Sequence, residues 1–129
     1  MRAGGRWILA AGVIAVAVVA SAGHQATAGS LSTGTNVSLG RQLAQVRGWT
    51  GPQFDCLNWL WTRESGWETL AVNPESGATG IPQLLPSAHK IPAGWDSAQV
   101  QIEWGLDYIA GRYGHPCTAW DHEQQYGWY

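Results

Sequence analysis

Basic residues and cysteines are scarce in this sequence of 129 residues, and each scarcity excludes a class of function. Of seven Lys and Arg residues, Arg2 and Arg6 precede an apolar N-terminal stretch, which leaves five in the rest of the chain beside nine acidic residues. Polyanions such as nucleic acid are therefore disfavoured partners. The two cysteines form no CxxC or CxxCH motif, so redox and c-type haem functions have no support. The segment Asp121-His122-Glu123 matches no zinc signature, and we expect neither a metal nor another cofactor.

A long hydrophobic run is also lacking. The apolar N-terminal stretch is shorter than the roughly 20 residues that a membrane-spanning helix needs. It follows two arginines and precedes small residues, which is the pattern of a secretory signal peptide. We assign residues 1–28 to a signal peptide and processing region, with cleavage after Ala22 or Ala28, residues 29–37 to a flexible leader, and residues 38–129 to one domain. The exported chain then has no stable association with the membrane, and an uncleaved membrane anchor is the alternative.

The spacing of apolar residues predicts a mainly α-helical domain and no convincing pair of strands. Thr50 and Gln53 have the spacing of a capping box at the start of one helix. Cys56 lies in that helix and Cys117 near the end of the chain, and a single pair in an exported protein predicts a disulfide bond. The predicted helices cover about residues 38–47, 50–66, 97–112 and 117–126, and a loop rich in Pro and Gly covers residues 73–83.

Tryptophan is abundant, with nine residues in the chain, eight of which follow the apolar N-terminal stretch. A fully buried Trp removes about 150 to 250 Å² of surface from water, and a core of this size cannot enclose eight indoles. We therefore expect several of them to line a groove. Flat apolar rings of this kind stack on sugars, bases or cations.

Glu64 interrupts an apolar stripe that Phe54, Leu57 and Trp61 form on the predicted second helix. Burial against aromatic rings and the negative end of the helix dipole both disfavour the charged carboxylate, so its pKa is expected to rise. A carboxyl group that keeps its proton near neutral pH can act as the general acid that a glycosidic oxygen needs. The alternative is an exposed side chain at a frayed helix end, paired with Arg63 or facing Glu68 one turn later.

Several ordered motifs resemble those of the soluble lytic transglycosylases, in their actinobacterial form. The resemblance extends from about Leu39 to Tyr129, nearly the whole mature chain. It implies a lysozyme-like helical domain that binds peptidoglycan glycan strands as a monomer, secreted or associated with the cell wall. The motifs that carry it are Arg63-Glu64-Ser65-Gly66-Trp67, Asn73-Pro74, Gly77-Ala78-Thr79-Gly80-Ile81-Pro82-Gln83, Trp104-Gly105-Leu106-Asp107-Tyr108-Ile109 and Gly127-Trp128-Tyr129.

The resemblance also implies a reaction and a set of site residues. Glu64 falls on the catalytic glutamate of the family, which cuts the β-1,4 bond between N-acetylmuramic acid and N-acetylglucosamine. That single carboxyl group acts first as acid and then as base, and the product has a 1,6-anhydro end. Gln83 falls on the glutamine of the substrate groove. Ser65 is a candidate groove residue because it follows the acid, and so is Trp67, which lies beside it in sequence.

One departure concerns Trp120. The family commonly has Ala-Tyr-Asn near the C-terminus, with its tyrosine close to the acid, whereas this sequence has Ala119-Trp120-Asp121. Trp120 is either a platform for a sugar ring or part of the core beside the disulfide. Asp121 could activate water, as in a hydrolase, or lie on a solvated helix face. A lysozyme-type enzyme, a muralytic enzyme similar to the resuscitation-promoting factors, and a non-catalytic module that binds wall glycan are therefore alternatives.

Overall fold

The computed structural model describes residues 32–129, so the predicted signal peptide and processing region lie outside the described residues. This part of the chain contains no strand, only isolated bridges that pair Thr79 with Val72 and with Leu84. The prediction of a small, mainly helical single domain is confirmed. None of the helices described here is long and apolar enough to cross a membrane. The helices are α1 (residues 32–46), α2 (Pro52–Ser65), α3 (Ala98–Tyr113) and α4 (Pro116–Tyr126).

Helix α1 begins earlier than the sequence pattern predicts. Residues 32–37, which we assigned to a flexible leader, are already helical, and that assignment is wrong for them. The cause is a tertiary contact, because the buried Asn36 amide donates hydrogen bonds to the backbone oxygen of Trp67, at 2.9 Å, and to the hydroxyl of Thr69, at 3.2 Å. A buried amide that has found its partners stabilises a segment whose polar composition alone favours a flexible chain.

Helix α2 supplies a large part of the core. Its first turn contains Pro52 and follows Gly51, whose positive φ of 53° is a conformation that glycine adopts without strain. No side chain caps this end, so the predicted capping box of Thr50 and Gln53 is wrong. The helix ends at Gly66 in the left-handed conformation, as predicted. The buried residues of α2 are Phe54, Cys56, Leu57, Leu60 and Trp61.

Helix α3 begins at a side-chain cap, since the Ser97 hydroxyl accepts a hydrogen bond from the backbone N–H of Val100. Its close approach to the rest of the core requires glycine at position 105. A Cβ atom there would lie 2.5 Å from the Trp61 ring and 2.8 Å from the Cβ of Pro82. The side chains of Ile102, Leu106 and Ile109 complete its buried face.

The long loop between α2 and α3 is fixed to α3 by one buried amide. The Gln101 Oε1 atom accepts a hydrogen bond from the backbone N–H of Ile81, at 2.8 Å. Its Nε2 atom donates to the backbone oxygens of Thr69 and Trp95, at 3.0 and 2.6 Å. Because Gly80 lies against the Gln101 side chain, with no room for a Cβ atom, the loop and the helix are in direct contact. This contact holds the segment that carries Pro82 and Gln83.

Helix α4 is joined to α2 by the predicted disulfide between Cys56 and Cys117, which is confirmed. The backbone N–H of Cys117 also donates to the side-chain oxygen of Gln53, at 3.0 Å. Pro116 occupies the first turn of α4, and Gly127 ends it in the left-handed conformation. The disulfide and this hydrogen bond hold the start of α4 against the start of α2. Near the ends of the two helices, Arg63 of α2 pairs with Glu123 of α4.

Candidate active site

Glu64 is the next-to-last residue of α2 and is half-buried. The chain turns sharply after it, with Gly66 and then Trp67 both at positive φ, 62° and 61°. Such a φ is unfavourable for a residue with a side chain, and the structure holds Trp67 in it by burying the ring almost completely. The end of α2 is therefore a fixed position for the Glu64 carboxyl group, and the frayed helix end that we considered as an alternative is not observed.

Glu123 of α4 is the second carboxyl group of the site. Its side chain is 3% exposed, and its Oε1 atom pairs with the Arg63 guanidinium at 3.2 Å. Its Oε2 atom is buried without a hydrogen-bond partner. Two ionised carboxylates cannot hydrogen-bond to each other, but a proton on Glu64 supplies a donor for the Glu123 carboxylate. The carboxyl oxygens of the two residues therefore have the most hydrogen-bond and ion-pair partners when Glu64 is protonated and Glu123 is paired with Arg63.

The pKa of Glu64 rises from 4.5 to about 8 in this environment. Burial is the largest cause, because it disfavours the charged form. The hydrogen bond to Glu123 and the negative charge of Glu123 raise the pKa further, while the positive charge of Arg63 lowers it. Glu64 is thus predominantly protonated at neutral pH, and it can donate that proton to a bound oxygen atom.

Tyr129 connects the acid to a neighbouring cavity. Its hydroxyl accepts a hydrogen bond from the Trp61 indole N–H, at 2.9 Å, and donates one to the backbone oxygen of Pro82, at 2.6 Å. Burial raises the pKa of Tyr129 well above its usual value, and the charge of Glu64 raises it further, so the two groups lie within electrostatic reach. The ring of Tyr129 also lines the cavity. Glu64 itself is not among the residues that line the cavity, and Tyr129 is the lining residue whose pKa its charge affects.

The cavity has a volume of about 190 Å³. Gln83, a predicted groove residue, lines it at a positive φ of 58°. Its amide nitrogen donates to the backbone oxygens of Gly80 and Ala71, at 3.0 and 3.3 Å, so the side chain is held against its own loop. The aromatic part of the wall is formed by Trp104, Tyr108, Trp128 and Tyr129.

Trp67 and Ser65 do not line this cavity. Trp67 is 1% exposed and donates its indole N–H to Asn58, so the prediction that its ring holds a sugar is wrong. The Ser65 hydroxyl donates to the backbone oxygen of Ile81, at 2.7 Å, and accepts from the backbone N–H of Trp67, at 3.1 Å. This hydroxyl connects the end of α2 to the loop that carries Gln83. Ser65 thus positions two parts of the site, and no contact with a substrate follows from its geometry.

Trp120 lies on α4 outside the cavity. It is partly buried against the core, and its ring is 6.2 Å from that of the more exposed Trp59. This position is compatible with the core interpretation and also leaves ring surface available. Asp121 is exposed on the same helix.

No group of three or more His, Cys, Asp or Glu residues in the described range 32–129 has an arrangement that could hold a metal ion.

The sequence analysis missed two parts of the site. Trp104, Tyr108 and Arg112 all line the cavity, and their i, i+4, i+8 spacing on α3 is a signal that could have identified one shared helical face. Glu123 gave no comparable signal, because only the packing of α4 on α2 brings it to Glu64. A carboxylate among polar residues near the end of a chain looks like any solvated helix face.

The chain was compared with protein-family models, with curated proteins and with solved structures, and none of the three comparisons found a match.

Proposed function

We propose that this protein is a lytic transglycosylase that cleaves the glycan strands of peptidoglycan. The observation that carries this proposal is Glu64, a half-buried carboxyl group that keeps its proton at neutral pH within electrostatic reach of Tyr129, which lines an aromatic cavity. A glycosidic bond breaks slowly unless its oxygen is protonated as the bond lengthens, and a carboxylic acid with a raised pKa supplies that proton. The motif resemblance points to the bond between N-acetylmuramic acid and N-acetylglucosamine.

The reaction needs only one carboxyl group that exchanges protons. Glu64 donates its proton to the glycosidic oxygen as the bond from C1 of the muramyl residue breaks, and the N-acetylglucosamine leaves with a free 4-hydroxyl group. The resulting carboxylate then takes the proton of the muramyl C6 hydroxyl as O6 bonds to C1. This second step closes the 1,6-anhydro ring and returns Glu64 to its protonated form.

Glu123 does not supply the second carboxylate of an ordinary glycosidase. Retaining enzymes need two carboxyl groups about 5 to 5.5 Å apart on either side of the bond, and inverting enzymes need about 6.5 to 9.5 Å. Glu123 instead lies close enough to accept a hydrogen bond from protonated Glu64, is buried, and pairs with Arg63. With its side chain 3% exposed, it offers almost no surface to a substrate. Its position supports a mechanism with Glu64 as the single catalytic residue.

The cavity beside the acid suits a carbohydrate. The rings of Trp104 and Tyr108 are stacked, with centroids 5.4 Å apart and planes inclined by 13°. Flat rings of this kind pack against the apolar face of a sugar. The volume of about 190 Å³ is smaller than the roughly 300 to 1,000 Å³ of pockets that enclose a whole ligand, which suits one unit of a longer chain.

The test is a digestion of purified sacculi, with the released muropeptides identified by mass spectrometry. We expect the wild-type protein to release fragments with 1,6-anhydromuramyl ends. Glu64→Gln keeps the shape of the side chain and removes its proton chemistry, so the rate of release falls by about 10² to 10⁴. Glu75→Gln is the matched control, because Glu75 is exposed in the loop and should retain full activity.

Each other outcome identifies a different function. Products that carry only reducing ends, with water added, would make the protein a hydrolase of the lysozyme type and would overturn the transglycosylase assignment. Binding to sacculi without release of fragments by the wild-type protein would indicate a glycan-binding module. An equal rate for Glu64→Gln and wild type would show that Glu64 is not the catalytic acid.

A further inference from the structure

The wall of the cavity carries one fixed positive charge, which the proposed reaction does not use. Arg112 lies at the end of the α3 face that also carries Trp104 and Tyr108. Its guanidinium lies 5.1 Å from the centre of the Trp128 ring, and its Nε donates to the Tyr113 hydroxyl, at 3.2 Å. These contacts orient the group without neutralising it.

Arg112 has no acidic partner in the part of the chain that the structure describes. The two ion pairs found there involve Arg47 with Asp107 and Arg63 with Glu123. None of the residues that line the cavity is Asp or Glu. A positive charge in an acidic chain, placed at the wall of an aromatic cavity and left unpaired, is complementary to an anionic group on a ligand.

The aromatic side of the cavity limits what that ligand can be. His89 contacts the stacked pair of Trp104 and Tyr108 edge-on, with ring centroids at 5.4 and 5.5 Å. Trp128 is half-exposed and closes the side next to Arg112. The rings provide a flat apolar surface, and the guanidinium provides a planar fork of donors that matches a carboxylate. A compact sugar ring with a carboxylate on a short substituent satisfies both.

We propose that this cavity is a subsite for a sugar residue whose substituent carries a carboxylate, with Arg112 binding the carboxylate and the rings of Trp104, Tyr108 and Trp128 binding the sugar. The proposal rests on the proposed function, in which the sugar is the muramyl residue. Its carboxylate has two chemical sources. One is the lactyl group of glycan without peptide, and the other is an acidic group of an attached stem peptide. Arg112 is then the residue that distinguishes the muramyl from the neutral N-acetylglucosamine unit.

The experiment measures binding in the Glu64→Gln background, where cleavage is slow, by quenching of tryptophan fluorescence. The probes are tetrasaccharides of alternating N-acetylglucosamine and N-acetylmuramic acid with free lactyl carboxylates, the same compounds as methyl esters, the same compounds with stem peptides, and neutral chitotetraose. We expect Arg112→Gln to weaken binding of a carboxylate-bearing probe about tenfold and to leave chitotetraose unchanged. Arg41→Gln, which removes an exposed arginine outside the cavity, should change no affinity.

The methyl esters test the same contact without altering the protein. If Arg112 binds the lactyl carboxylate, esterification should weaken binding to the parent about as much as Arg112→Gln does, and should have no further effect on that variant. A loss confined to the lactyl probe, or confined to the peptide probe, identifies the source of the carboxylate, and either supports the proposal. Unchanged binding of both the lactyl and the peptide probes by Arg112→Gln would overturn it, and so would a lactyl probe that loses affinity for Arg112→Gln but binds the parent equally well as acid and as ester.

The sacculus digestion separates this inference from the proposed function. If the wild-type protein releases anhydromuropeptides but Arg112→Gln binds every probe like its parent, only the subsite is wrong. If carboxylate selection depends on Arg112 but no cleavage occurs, the subsite stands and the enzymatic function is wrong.

Discussion

Glu64→Gln should make the folded protein more stable at alkaline pH while it slows the proposed cleavage. The pKa of Glu64 is about 8 in the folded chain against an ordinary value of 4.5. Between these two pH values the native state binds more protons than the unfolded state, so the free energy of unfolding falls as the pH rises. The amide does not titrate. The variant therefore lacks this loss of stability, and its advantage over the wild type grows from pH 4.5 to pH 8.

The size of the effect follows from the pKa difference. Each pKa unit corresponds to about 1.4 kcal/mol in the free energy of unfolding. Because Glu64 is only half-buried and water screens part of the penalty, we discount the full value by about half, to about 2 kcal/mol. This is a large fraction of the stability of a domain of this size, for which about 5 to 15 kcal/mol is usual.

The assay is urea denaturation of both proteins with the disulfide intact, followed by tryptophan fluorescence at about pH 4 and about pH 8.5. The informative quantity is the difference in unfolding free energy between variant and wild type, because titrating groups that do not interact with Glu64 contribute equally to both. This difference should increase by about 2 kcal/mol between the two pH values. The same change at the exposed Glu75 is the matched control for the loss of a carboxylate at the protein surface. A difference for Glu64→Gln that stays constant between the two pH values would refute the assignment of a buried, protonated acid.

Two further predictions concern the partner carboxylate and the disulfide. Glu123→Gln removes the negative charge beside Glu64, so the pKa of Glu64 falls and the alkaline limb of the pH–rate profile for sacculus lysis moves to lower pH; an unmoved limb, or one at higher pH, would contradict the pairing of the two groups. Replacing Cys56 and Cys117 together by Ala opens a loop with a sequence separation of 61. The chain-entropy model gives a loss of about 4 kcal/mol in unfolding free energy, measured by urea denaturation. A reducing agent should bring the wild type to the level of the variant and leave the variant unchanged, and a loss below about 1 kcal/mol would show that the disulfide contributes little.

Local sequence signals predicted the later helices well. Ser97, Gly66 and Pro116 act on their immediate neighbours through caps, left-handed turns and the fixed φ of proline, and these effects are the same in any fold. The start of α1 was mispredicted because Asn36 finds its partners at Trp67 and Thr69, more than thirty residues away. A polar residue with distant partners cannot be distinguished from a solvated one by its neighbours in sequence.

In the candidate site, too, the residue marked by a local sequence signal could be predicted, and the residues placed by tertiary packing could not. Glu64 stands out locally, because it is a carboxylate on an apolar stripe, and so its raised pKa could be anticipated. Which tryptophans lie in the core and which line the cavity could not be anticipated. Trp67 follows the acid in sequence, but a backbone turn directs its ring into the core, whereas Trp104, forty residues later, lines the cavity. Proximity in sequence to the acid was therefore the wrong guide, and the shared helical face with Tyr108 was the better one.

Position 120 carries Trp, whereas the soluble lytic transglycosylases that the sequence resembles commonly have a tyrosine there, close to the acid. A phenol near the acid is present, but Tyr129 supplies it. The single proton of that hydroxyl goes to the backbone oxygen of Pro82, and its oxygen already accepts from Trp61. Tyr129 consequently has no proton to donate to an ionised Glu64, and Arg63, which pairs with Glu123, is the group that opposes the rise in the pKa of Glu64. An acid without a nearby donor to stabilise its charged form retains its proton until a substrate oxygen can accept it.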